Sequence, residues 1–316
     1  MSVVAPLRTE RRDPGGARVM PRDLVLLGFL ADAGHASTSA LGRLAGMSPD
    51  MARRRARALR DLGLVMKTVL AVNAPDRLTL TAAGRRMVAE KLGRDPASVS
   101  AVTLGAGPFR HHDMNVDLAV TLRIAGARSH AWTLVRHRFE RQVRADLKAP
   151  GGALVPDGVA VLTSRGGGEV ALALECDAGT CDPKWVATHK LAVYGAHFSA
   201  GAPLFGCARW AVCLVAPTLR RVHQLTTALW REGVPEGLVY LLPEASLTSE
   251  TILLPTWLTP RAVPGTEDVV LAMESPLPPV TTDRHDGNDR HVEPEVAAGA
   301  DFPHTPTGRS SARSAP

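Results

Sequence analysis

The stretch LVPDGVAVLTSRGGGEVALALECDAGT places Asp157 at the mouth of one apolar run and Glu175 and Asp177 at the end of another. Carboxylates are rarely left in a core unless they are paired, hydrogen-bonded or holding a metal ion. The turn TSRGGGE reverses the chain between the two runs, so the three acids are expected at adjoining ends of one hairpin. Two outcomes are open. The acids pair with Arg138, Arg141 or Arg144 and fix the hairpin ends, or they converge as hard oxygen donors fit for a divalent cation. Neighbouring residues offer less. Ser164 beside the glycines suits turn chemistry, RGGGE lacks the Lys and following helix of a phosphate loop, and His189 and His197 have no third partner at metal spacing.

The elements that must position these acids follow an alternating pattern. HHDMNVDLAVTLRIAG, with Met114, Leu118 and Leu122 in register, reads as a helix ending at Gly126, and AWTLVRHRFERQVRADL then carries Glu140 among arginines. After the hairpin come a helix in KWVATHKLAVYGAHF, a strand in RWAVCLVA, a helix in TLRRVHQLTTALWREG and a final strand in GLVYLLP.

Upstream the order is helix, helix, helix, hairpin, helix. PRDLVLLGFLADAG opens on Pro and closes on Gly, and STSALGRLAG follows a run of Ser and Thr caps. SPDMARRRARALRDLG starts with Ser48 as N-cap and Pro49 in the first turn; it sets Ala52, Ala56 and Leu59 on one face and Arg53, Arg57 and Arg60 on another. LVMKTVLAVNAPDRLTLT gives two β-rich runs around a turn at Asn73, Pro75 and Asp76, and TAAGRRMVAEKLG closes the segment as a helix. This order over residues 21–93 resembles the winged helix-turn-helix superfamily, in which the third helix enters the major groove of duplex DNA and the hairpin touches the backbone. The resemblance makes Arg53, Arg54, Arg57 and Arg60, with Lys67 and Arg77 on the wing, the candidate DNA contacts; the bland alternative is a solvated charge run.

Composition sets the limits. A chain of 316 residues with 45% hydrophobic content is long enough for two packed domains. Aromatics at 4% argue against large stacking surfaces for single strands, and the net charge of +6 suits a polyanionic partner without proving one. Cys176, Cys181, Cys207 and Cys213 form no CxxC pair, so reduced thiols packed as small hydrophobes are expected. The opening residues have no apolar leader core, and no run approaches the roughly 18 apolar residues of a membrane span, which leads us to expect a cytoplasmic protein with no membrane partner. Disorder is expected over 1–20 and 261–316, a linker over 94–108, and a second domain over 109–260.

The helix, hairpin, helix, strand, helix layout of that second domain resembles the PD-(D/E)xK, restriction-endonuclease-like phosphodiesterase fold, an α/β domain with a mixed sheet. The resemblance implies that Asp157 of Pro156-Asp157 and Glu175 hold Mg²⁺, that Glu140 is an additional helix acid, and that a lysine stabilises the attacking water or the phosphate. Here Asp177 stands at the position of the motif lysine, so the base must come from elsewhere, with Lys190 the leading candidate and Lys184 the second. The winged helix, Glu140, VPDG, LECDAGT and KLAVY together resemble the replication-relaxation family of plasmids and conjugative elements. That likeness covers residues 21–243 and implies a double-stranded DNA partner, a role at an origin in replication, relaxation or mobilisation, and a relaxase or replication protein as possible company; homodimer formation is left open. A Mg²⁺-dependent endonuclease or nickase and a winged-helix transcriptional repressor are the competing readings, and His111 and Asn115 receive no role.

Overall fold

Capping residues mark where the N-terminal helices begin and end. In α1 (Pro21–Ala33) Asp23 reaches back to accept the Met20 N–H at 2.5 Å, and Gly34 closes the helix at φ +83°. Ser37 caps α2 (Thr38–Leu44) by accepting from the Ala40 N–H, and Ser48 caps α3 (Pro49–Asp61) by accepting from Met51. A hairpin of β2 (Val65–Thr68) and β3 (Arg77–Leu80) follows, then α4 (Ala82–Lys91) capped by Thr81. A short β1 (His35–Ser37), which sequence patterning did not reveal, pairs antiparallel with the far side of β3. Gly84 lets α4 close on this corner, because a Cβ there would run into the Leu64 carbonyl.

The computed structural model describes residues 18–68, 76–95, 99, 109–147, 154–262 and 269–279. The wing turn with Asn73 and Pro75, nearly all of the expected linker, and most of the two termini expected to be disordered lie outside these residues.

The rest of the chain is built on one seven-stranded mixed sheet, as the α+β and α/β reading anticipated. Helix α5 (Arg110–Arg128) leads into β4 (Trp132–Phe139), α6 (Glu140–Leu147), β5 (Gly158–Ser164) and β6 (Glu169–Cys176). A helical crossover follows: α7 (Pro183–Trp185), a π-turn over Val186–Leu191, and α8 (Ala192–Ser199). Then come β7 (Trp210–Ala216), α9 (Leu219–Arg231), β8 (Val239–Pro243), β9 (Trp257–Ala262) and β10 (Val269–Glu274). The order is β10-β9-β8-β7-β6-β5-β4, antiparallel from β4 to β6, parallel through β6, β7 and β8, and antiparallel again to β10. Strands β9 and β10 extend the sheet past Val239–Pro243, the expected final strand, and β10 falls in the segment expected to be a largely disordered tail. The apolar run at 269–273 pairs with β9 along its length despite the Pro-rich surroundings that disguised it.

The central strands read as continuous apolar runs because both of their faces are covered. Val159, Val161, Ala171, Ala173, Val212 and Leu214 face the crossover helices and α9, whereas Ala160, Leu162, Leu172, Leu174, Ala211 and Cys213 face Met114, Leu118 and Leu122 of α5. The opposite flank of α5, with Val116, Ala119 and Val120, shares a core with the N-terminal helices and Phe139. Helix α5 is thus buried on two sides, each fully covered leucine contributing about 1.5–3 kcal/mol. Ion pairs Arg43–Asp117 and Arg77–Asp113 reinforce the same junction. Among the described residues no helix is long and apolar enough to cross a membrane.

Candidate active site and nucleic-acid interface

Strand register brings the first two acids together. Gly158 pairs with Leu174, so one step outward Asp157 stands across from Glu175, and directly opposed residues project to the same face. That face is the one covered by the crossover helices, where Lys190 lies in the π-turn and Tyr194 follows one turn later. The wide turn sets Lys190 among buried Ala187, Leu191 and Tyr194 and aims its ammonium at the strand ends. Lys190 Nζ is 3.2 Å from Asp157 Oδ2 and 2.5 Å from Glu175 Oε2, and the Tyr194 hydroxyl donates to Glu175 Oε1 at 2.5 Å.

Asp157 is held from several directions. The Cys176 N–H donates to its Oδ2 at 2.9 Å, and His111 Nε2 lies 3.1 Å from its Oδ1. Its backbone carbonyl accepts from Asn115 Nδ2 at 2.7 Å and from the Glu140 N–H at 2.9 Å. Gly158 keeps the corner open, since a Cβ there would lie 3.2 Å from the Arg138 carbonyl and 3.3 Å from Asn115 Oδ1. His111 and Asn115, four residues apart on α5, therefore both close on Asp157.

The Asp157 and Glu175 side chains are only 11% and 1% exposed, and their environments drive the two carboxyls apart. Burial acts to raise the Asp157 carboxyl, but the hydrogen bond with His111, the Lys190 charge and the nearby Glu175 carboxyl together hold it well below the usual carboxylate range. Burial and the neighbouring Asp157 charge push Glu175 up to about 8 against the pull of Lys190. Burial works against the Lys190 charge, yet Glu175 and Asp157 outweigh it and raise its pKa. His111 is raised by its hydrogen bond to Asp157. A buried carboxylate left without its cationic partner costs about 3–5 kcal/mol, so Lys190 is a structural necessity as well as a chemical group.

The other acids expected here go elsewhere. Asp177 lies beyond the end of β6 and is bound by Arg221 of α9, with Nε 2.5 Å from Oδ2; the same guanidinium donates to the Cys181 carbonyl at 2.6 Å and pins the loop. The structure thus sets Asp177 on Arg221 and not on the Lys190 ammonium that Asp157 and Glu175 share. Glu140 borders the site through its backbone, but its half-exposed carboxylate pairs with Arg144 at 2.6 Å. Of the three arginines considered as partners of the hairpin acids, Arg144 pairs with Glu140, Arg138 meets Asp146, and Arg141 donates to the Ala31 carbonyl. Lys184 is exposed and makes no ion pair with the acids among the described residues. Ser164 Oγ accepts the Gly168 N–H inside its turn, and His189 stacks on Trp185. Among the described residues no three or more His, Cys, Asp or Glu side chains form a cluster fit for a metal.

On the N-terminal unit, Arg53, Arg54, Arg57 and Arg60 are exposed along α3. Arg53 pairs with Asp50 at 2.7 Å, and Lys67 on β2 pairs with Asp76 at 2.7 Å. Arg77 corrects its expectation. It is 3% exposed, ion-paired with Asp113 and set 4.6 Å over the Phe109 ring, so it fastens β3 to α5 and does not share the exposure of the α3 arginines.

The replication-relaxation family model matches residues 27–203, more than half of the chain. The chain belongs to the replication-relaxation family. Membership points to a replication-related role in a plasmid or mobile element. No curated protein and no solved structure matches the chain. The replication-relaxation segment holds His111, Asp157, Glu175, Lys190 and Tyr194 but ends before Arg221, so the partner of Asp177 lies outside it.

The raised Glu175 carboxyl yields a pH prediction. A group protonated more readily in the folded state contributes stability that is complete below its unfolded value near 4.5 and lost as pH rises through about 8. Across that window wild type should lose on the order of 1 kcal/mol per pH unit through this group. Thermal melts of Glu175→Gln against wild type between these pH values should show a flatter decline in the variant; parallel curves would mean that Glu175 is ionised throughout.

Proposed function

We propose that this protein binds duplex DNA of a plasmid or mobile element through a winged helix-turn-helix and hydrolyses a phosphodiester at a PD-(D/E)xK-type centre formed by Asp157, Glu175 and Lys190. One observation carries the reading: an acid before β5, an acid at the end of β6 and a lysine from the following crossover meet within 3.2 Å. The lysine absent from the hairpin motif is thus replaced from the helix. Support for the binding half comes from the three-helix and hairpin order, with exposed arginines along α3.

Mg²⁺ fits Asp157 and Glu175. Both offer hard oxygens, Glu175 Oε2 is buried with no hydrogen bond beyond its ion pair, and Mg²⁺ commonly uses one or two carboxylates together with substrate phosphate. Bound there, the ion would supply Lewis-acid polarisation of a phosphate oxygen. The remaining work falls to side chains. Lys190, with three N–H donors, stabilises negative charge that develops on the phosphate as water adds to phosphorus, a P–O ester bond breaks and the departing oxygen takes up a proton. Asn115 and the Cys176 N–H fix Asp157, and Tyr194 fixes Glu175.

Incubation of supercoiled plasmid with the full chain and Mg²⁺ or Mn²⁺ should yield open circles. Asp157→Ala and Glu175→Ala should abolish nicking, and Lys190→Ala should slow it by about 100-fold or more. Nicking that persists in both acid variants would refute the assignment, and a footprint confined to a promoter with no response to Mg²⁺ would favour a repressor.

Binding itself has a separate signature. If the four α3 arginines neutralise about four phosphates, log affinity should fall with log salt at a slope near −3.6, and Arg57→Ala with Arg60→Ala should halve it. Arg77→Ala should lower the melting temperature and leave the slope alone; a slope altered by Arg77→Ala instead would overturn its placement as a fastener.

A further inference from the structure

One residue before the lysine stands half of an exposed ring stack. Trp185 is 48% exposed, the one aromatic among the large exposed apolar side chains of the described residues. Its indole lies nearly parallel to the His189 imidazole, with centroids 5.2 Å apart and planes 7° from each other. The stack is prearranged. Thr188 Oγ1 donates to the Lys184 carbonyl and lies 2.7 Å from His189 Nδ1, so the imidazole donates to it. Asp182 caps α7 by accepting from the Lys184 and Trp185 N–H groups, and Arg221 grips the Cys181 carbonyl just before it. None of these contacts draws the indole into the core.

A rigid aromatic surface on the same helical crossover as Lys190, five residues before it, matches the face of a nucleobase. Bases inside an uninterrupted duplex have both faces covered by their neighbours, so only an unpaired base can stack on a protein ring. Exposed Lys184 beside the indole and exposed Arg220 on α9, against which α7 packs, suit the phosphates of such a strand. Building on the proposed DNA-processing reading, we infer that Trp185, backed by His189, is a stacking platform for an unpaired nucleobase flanking the phosphodiester at Asp157, Glu175 and Lys190. The preferred substrate is then DNA with locally separated strands, held near the site by the α3 arginines on its duplex part.

The test uses the full chain in EDTA, where no strand is cut, with a matched duplex and the same duplex carrying a short central bubble. The bubble should bind more tightly and quench tryptophan fluorescence in wild type by more than in Trp185→Ala, the difference isolating Trp185 from half-buried Trp230 and from buried Trp132, Trp210 and Trp257. Trp185→Ala should weaken bubble binding by about 5-fold to 100-fold with duplex affinity unchanged, and Trp185→Phe should recover most of it. Equal affinity of wild type and Trp185→Ala for the bubble would overturn the platform and leave the proposed function standing. A changed oligomeric state in Trp185→Ala with unaltered DNA binding would overturn it in favour of a protein contact. Failure of the wild type to bind either DNA would defeat the function and the platform together.

Discussion

Two carboxylates buried side by side at the end of a sheet need a cation against them, and in this protein the Lys190 ammonium meets that need. The requirement shapes everything around the strand ends. The chain must cross from β6 to β7 over the face that holds the acids, and its helix must carry a lysine at the right height and rotation. The π-turn accomplishes this, and Tyr194 one turn later satisfies the remaining oxygen of Glu175. Asp177, two residues past Glu175, escapes the same pressure because Arg221 neutralises it on the other side of the loop. One acid pair thus shares a single ammonium, and a neighbouring acid has its own guanidinium.

Helix α5 joins this centre to the N-terminal unit. Within two turns, His111 and Asn115 close on Asp157, His112 Nε2 lies 3.0 Å from the His35 carbonyl, Asp113 holds Arg77 and Asp117 holds Arg43. Successive residues of one helix therefore touch the acid site and the base of the small sheet in turn. With a shared apolar core beneath these contacts, the α3 arginines and the acid pair occupy one continuous packed body.

Much of this was readable from residue order, where local chemistry decides the outcome. Ser48 and Pro49 announce α3, Gly34 ends α1, and the apolar runs at 158–162 and 210–216 suit strands covered on both faces. Asp157 and Glu175 stood out as acids at the ends of such runs, whereas Lys190 entered only through the likeness to the PD-(D/E)xK fold, as a lysine moved to the following helix. What remained hidden depends on contacts between distant segments. Arg77 looks like any wing arginine until Asp113 and Phe109 are known to lie against it. Asp177 looks like a third ligand until α9 brings Arg221 over the loop. His111 and Asn115 share a helix face four residues apart, a signal that has meaning only once that face is known to meet Asp157. Strand β10 was masked by the prolines around it, because propensity cannot register the pairing with β9 that holds it.

The central claim is that Asp157 and Glu175, braced by Lys190, form a pocket able to take a divalent cation. Diffraction from crystals soaked in Mn²⁺, collected at a wavelength that reveals the metal by anomalous scattering, examines it most directly. The account predicts a peak bridging the two carboxylates, with Asp177 still on Arg221. Density elsewhere, or a crystal in which the two acids face opposite sides of the sheet, would contradict it.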